Sequence, residues 1–182
     1  MARELNLLLA GFGGQGLLFA GKVIAYCGLI ENRQLSWLPS YGPEMRGGTA
    51  NCGVCLSDEP IGSPLVLAPN QLIAMNQPSL EKFVDTVPSG GIILVDSTMV
   101  SMTVERSDVS TFYVPSTTLA EENSLKGLAN IILTGKLWAE FPFCEWDTLV
   151  EAIRKSVPAK KTEMFGYNVK AAEIGRDFSV NG

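Results

Sequence analysis

Leu5-Asn6-Leu7-Leu8-Leu9-Ala10-Gly11-Phe12-Gly13-Gly14-Gln15-Gly16-Leu17 is the stretch on which the fold turns. Leu5 to Ala10 is an apolar run of the length a buried strand needs, and Leu17 to Leu29 carries apolar side chains around much of a helix. Ala20, Gly21, Ala25 and Gly28 are small enough to let that helix lie close on a sheet. Between strand and helix, glycines at 11, 13 and 16 spell GxGxxG. Lacking side chains, they allow a tight turn, close approach of a phosphate to the backbone, and helix N–H groups directed at negative charge. The same glycines also suit a packing turn with no ligand, and both readings stand at this level.

Outward from that unit, short β-like runs alternate with longer helical stretches. Gln34 to Leu38 and Thr49 to Leu56 read as strands, followed by Leu72 to Met75, Ile92 to Val95 and Phe112 to Val114. A helix is expected to start near Pro78, where a fixed φ and a missing N–H suit a first turn. Thr118-Leu119-Ala120-Glu121 matches a capping box and predicts a helix start after Pro115. Leu128 to Trp138, Trp146 to Val157 and Thr162 to Ile174 supply further helices. The expected fold class is α/β: a three-layer α/β/α sandwich, Rossmann-like, with a mostly parallel sheet and a helical C-terminal third. No internal repeat divides residues 1–182, so a single domain is expected.

Composition removes several function classes. Of 182 residues, 46% are hydrophobic and 18% charged, and the mean hydropathy is +0.18. No apolar run reaches the roughly 18 residues of a membrane span, so the excess is read as buried strands and a subunit interface. A net charge of −5 and a pI of about 4.8 oppose general binding to nucleic acid. Histidine is absent, which excludes Ser-His-Asp and Cys-His nucleophile systems and histidine-ligated metals. The first residues resemble the charged and apolar parts of a secretory signal, but Glu4 and Asn6 interrupt them. A cytoplasmic location is the expectation.

A second candidate motif is Ser40-Tyr41-Gly42-Pro43-Glu44-Met45-Arg46-Gly47-Gly48. Arg46 suits a bidentate grip on phosphate or carboxylate, or an internal pair with Glu44. A dinucleotide site also wants a carboxylate at the end of the second strand, about 20 residues on. Glu31 has the spacing but precedes that strand, whose end offers Pro39, Ser40 and Tyr41. Cys52-Gly53-Val54-Cys55 matches CxxC, yet alternation along a strand points the two sulfurs to opposite faces. Cys27 and Cys144 read as small buried hydrophobes. Asn130 interrupts an apolar helix and needs a partner for its amide, while Glu121 and Glu122 are better read as cap and solvated face than as an acid–base pair.

Gly11 to Gly16 followed by Ser40 to Gly48 resembles the gamma subunit of the 2-oxoacid:ferredoxin oxidoreductases, which act on pyruvate, 2-oxoglutarate, 2-ketoisovalerate or indolepyruvate. Ile61-Gly62-Ser63-Pro64, Leu72 to Leu80, Gly90 to Asp96 and Asn130 to Gly135 continue the resemblance, which covers roughly residues 4–157. It implies a noncatalytic role beside an active site where thiamine diphosphate adds to a 2-oxoacid, CO2 leaves, iron–sulfur clusters pass electrons to ferredoxin, and coenzyme A takes the acyl group. The sequence has neither a GDG-led thiamine–magnesium motif nor a run of cluster cysteines. Thiamine diphosphate, Mg and 4Fe–4S clusters are therefore expected on alpha and beta partner subunits, with a delta subunit where one is present, and ferredoxin is reached through them.

What the resemblance implies for this chain is a part of the coenzyme A region. Its expected binding residues are Gly11, Gly13, Gly14, Gln15, Gly16, Arg46, Gly47 and Gly48, with no catalytic residue and no metal ligand. The overall look of Asn76 to Leu80 and its flanks leans toward 2-oxoglutarate as substrate. A homodimer is an open expectation for the isolated chain. The alternatives are an NAD(P)-binding Rossmann dehydrogenase domain and a purely structural assembly module.

Overall fold

The computed structural model describes residues 4–41 and 49–179. Six strands form one sheet in the order β2-β3-β1-β4-β5-β6: β1 Leu5–Phe12, β2 Gln34–Tyr41, β3 Thr49–Ser57, β4 Gln71–Ala74, β5 Ile92–Asp96 and β6 Ser110–Val114. The pairs β1–β4, β4–β5 and β5–β6 are parallel, whereas β3 is antiparallel to both β1 and β2. Every described strand except β3 therefore points the same way. The α/β class and the largely parallel sheet hold, with one reversed strand lodged between β1 and β2.

Alternation along β1 decides what packs where. Leu5, Leu7 and Leu9 face the same side as Cys52, Val54 and Leu56 of β3, and α1 Leu17–Ile30 lies on that side. The same face takes α3 Ser116–Glu122, α4 Ala129–Glu140, α5 Trp146–Ser156 and α6 Met164–Asp177, which make up the C-terminal third. Leu8 and Ala10 face the other side with Leu72, Ala74, Ile93 and Val95, covered by α2 Gln77–Phe83 through Leu80 and by Val84 and Val87 beyond it. The sandwich has three layers, but its helices are heavily weighted to one face. Gly21 and Gly28 let α1 lie tight on the sheet, since a Cβ at either would strike Cys52 Sγ or Leu56.

α2 starts on a local cap and α3 on a tertiary contact. At α2, Asn76 Oδ1 accepts the Ser79 N–H at 2.9 Å, with proline at the second helical position. The expected capping box at Thr118 is not used, because α3 already begins at Ser116, directly after Pro115. The cap comes from the end of β5 instead: fully buried Asp96 accepts from Thr117 Oγ1 at 2.6 Å and from the Thr98 N–H at 3.1 Å. Thr118 N–H donates to Thr98 Oγ1 at 3.2 Å. Glu121 therefore sits in the last turn of α3 and caps nothing at its start.

Candidate functional site

β1 continues into α1 on one face of the sheet and β4 into α2 on the other, so the chain diverges between these adjacent parallel strands. Such a divergence opens a crevice beyond the carboxyl ends of the strands, the usual ligand position in open α/β sheets. Here the crevice has a volume of about 260 Å³ and is lined by residues that follow β1, β4, β5 and β6, among them Gly14, Gln15, Met75, Met99, Glu121 and Lys126. Complete small-molecule sites run to roughly 300–1,000 Å³, so this cleft is slightly smaller than a complete site.

The glycine turn forms one wall. Gly11 closes β1 opposite Ala50, Gly13 and Gly14 are exposed, and Gly16 caps α1. Gly14 has φ 98° and Gly16 φ 74°, both in the left-handed region that side chains disfavour. A Cβ on Gly14 would meet nothing within 4 Å, so this position is left open on its outer side by the chain itself. At Gly16 the space is filled: Asn130 Nδ2 donates to the Gly16 carbonyl at 2.8 Å, fastening the first turn of α4 to the start of α1. Asn130 thus has the structural contact its burial demanded, although its Oδ1 has no partner among the described residues.

Gln15 is placed differently from the expectation. Its Oε1 accepts the Phe12 N–H at 2.7 Å and its Nε2 donates to the Met75 carbonyl at 2.9 Å. The amide ties the turn to the ends of β1 and β4, so Gln15 shapes the cleft it lines. Arg46, Gly47 and Gly48 lie outside the described residues. The described residues on either side of that segment, Tyr41 and Thr49, sit in register with Ala50 and Phe12, at the same end of the sheet as the glycine turn.

The geometry opposes a nicotinamide dinucleotide. In that site the second strand lies beside the first and its terminal carboxylate reaches the ribose. Here β3 separates β1 from β2. Glu31 is engaged elsewhere, its Oε1 accepting the Glu145 N–H at 2.8 Å near the start of α5.

Cys52 and Cys55 do not face one another as a CxxC pair. Cys52 faces the helical core, while Cys55 shares its register with Asn6 and Ser36 on the opposite face. Desolvation pushes the Cys52 thiol up to about 11. Burial and the neighbouring Cys144 hold the Cys27 thiol well above its ordinary range. Thiols kept protonated in this way are poor metal ligands and poor nucleophiles. Among the described residues no three His, Cys, Asp or Glu side chains are grouped to hold a metal, and no helix is long and apolar enough to cross a membrane.

Residues 6–178 match the family described as pyruvate ferredoxin/flavodoxin oxidoreductase. The chain belongs to this family. Within it, ketoisovalerate oxidoreductase subunit VorA of Methanothermobacter thermautotrophicus is 39% identical over 177 residues, covering 97% of this chain but 36% of VorA. The 2-oxoglutarate synthase subunit KorC of Methanocaldococcus jannaschii is 37% identical over 166 residues, covering 90% of this chain and 87% of KorC. The chain thus spans about a third of VorA and most of KorC. The gamma subunit of a keto/oxoacid ferredoxin oxidoreductase from Geobacter sulfurreducens has the same fold, with TM-score 0.83 at 28% identity over 97% of this chain and 96% of that one. The resemblance carried by the two motifs is therefore a family relationship along nearly the whole chain.

Lys126 lines the cleft and Asn130 braces the glycine turn beside it; sequence reasoning placed neither there. Asn130 carried a signal, as an amide in an apolar helix. Lys126 carried only its position beside a helix-breaking glycine.

Proposed function

We propose that this chain is the gamma-type subunit of a 2-oxoacid:ferredoxin oxidoreductase and supplies one wall of the coenzyme A site, catalysing nothing alone. The observation that carries this is the partial cleft between β1 and β4, with an open glycine at its rim. In this reading the glycine turn presents backbone N–H groups to a phosphate of coenzyme A, and Arg46, Gly47 and Gly48 join the site on the strength of their sequence. Thiamine diphosphate, Mg and the 4Fe–4S clusters reside on alpha and beta subunits, with delta where present, in a cytoplasmic complex. Relatives of nearly equal identity are named for ketoisovalerate and for 2-oxoglutarate, as expected if other subunits select the 2-oxoacid.

Two measurements test it. The purified chain should be colourless and inactive with 2-oxoacids, coenzyme A and ferredoxin, while the complex captured through it turns over. Stoichiometric iron with turnover from this chain alone would overturn the assignment. In the complex, Gly14→Ala adds a methyl at the open rim and strains a left-handed φ, so the coenzyme A KM should rise about tenfold, near 1.4 kcal/mol, with the 2-oxoacid KM unchanged. The same KM for both substrates would assign the turn to packing and leave assembly as the chain's role.

A further inference from the structure

Among the described residues two charged side chains line the cleft, Lys126 and Glu121, and they are not paired with one another. Both are exposed, and neither side chain makes an ion pair or hydrogen bond among the described residues. Other cations are engaged away from the cleft: Arg33 pairs with Asp58, Arg106 with Asp108, and buried Lys136 with Glu140. Lys126 is followed by Gly127 at φ 87°, which turns the chain into the first residues of α4, and Gly127 and Ala129 also line the cleft. That α4 start is the one Asn130 fastens to Gly16, so the Lys126 backbone is held in a fixed relation to the glycine turn. An ammonium unpaired among the described residues, on a loop tied to the glycine turn through Asn130 and opening on a cleft with free backbone at its rim, is an anion-binding arrangement. The carboxylate of Glu121 repels a bare inorganic anion but accepts from a hydroxyl or amine, which selects a phosphate ester over free phosphate.

We propose that Lys126 binds a phosphate group of the ligand in this cleft, with Glu121 accepting from a hydroxyl or amine beside it. This rests on the reading that the cleft forms part of the coenzyme A site, and it adds the cation that the glycine turn itself lacks.

The test uses the complex purified through this chain, with Lys126→Met, Lys126→Arg and Gly14→Ala. Lys126→Met should raise the coenzyme A KM about tenfold, leave the 2-oxoacid KM and the melting temperature unchanged, and leave turnover with pantetheine, which has no phosphate, equal to wild type. Lys126→Arg should restore most of the affinity. Dephospho-coenzyme A separates the two phosphate sources: a Lys126→Met effect that persists assigns Lys126 to the diphosphate, and one that disappears assigns it to the 3′-phosphate. An unchanged coenzyme A KM in Lys126→Met alongside a raised one in Gly14→Ala would overturn the role of Lys126 and spare the site. Unchanged values in both would overturn both.

Discussion

Gly175→Ala should destabilise the protein more than any other methyl-sized change considered, by at least about 3 kcal/mol. A Cβ at Gly175 would land on the Ile132 carbonyl, and one at Gly135 on the Ala172 carbonyl, so α4 and α6 are in backbone contact at two reciprocal points. A flexible side chain can rotate away from a new methyl; a helix backbone in register with its neighbours cannot. Relief requires α6 to shift away from α4, which uncovers Ala171 and Ala172 and the core around Ile132 and Leu133. Gly166 gives the control within the same helix, since a Cβ there meets nothing within 4 Å. Gly166→Ala should stabilise by about 0.5–1 kcal/mol through helix propensity alone. Urea unfolding of the two variants checks this, with opposite shifts in midpoint expected. A mild effect for Gly175→Ala would mean that α4 and α6 are not packed this closely.

Gly16→Ala should cost about 2–4 kcal/mol from two separable sources. One is the left-handed φ of 74°, which no neighbouring change removes. The other is the Asn130 amide, whose Nδ2 lies 2.6 Å from where the methyl would sit and which would lose its hydrogen bond to the Gly16 carbonyl on moving. Asn130→Ala alone should cost about 1–2 kcal/mol. The double variant should fall short of the summed losses by about 1–2 kcal/mol, because the clash vanishes while the backbone strain stays. Strict additivity in denaturant melts would place the whole cost in the backbone and detach Asn130 from the turn.

The parts of the fold written in local pattern were readable in sequence, and the parts that depend on distant partners were not. Leu5 to Ala10 and Leu17 to Leu29 carry their periodicity on their face and became β1 and α1. Period-two alternation does not encode direction, so nothing in Thr49 to Leu56 announced a reversed strand between β1 and β2. Thr118 and Glu121 have capping-box spacing, but Pro115 starts the helix earlier and Asp96 reaches it from another strand. The divergence of Cys52 and Cys55 followed from strand geometry alone. The approach of Cys27 and Cys144, 117 positions apart, did not. At the site, the glycines were legible because only backbone chemistry needed recognising. Gln15 was legible as part of the turn but the ties of its amide to Phe12 and Met75 were not, and a loop lysine becomes notable only once the fold sets it on the cleft.

If the cleft between β1 and β4 forms part of the coenzyme A site, the ligand protects both of its walls from solvent. Amide hydrogen exchange on the purified complex, with and without saturating coenzyme A, reads both walls of that cleft at once. Slowed exchange is expected at residues 13–18 and 126–130 with coenzyme A, and none there with NADH. Unchanged exchange in both segments while coenzyme A saturates turnover would contradict that assignment of the cleft.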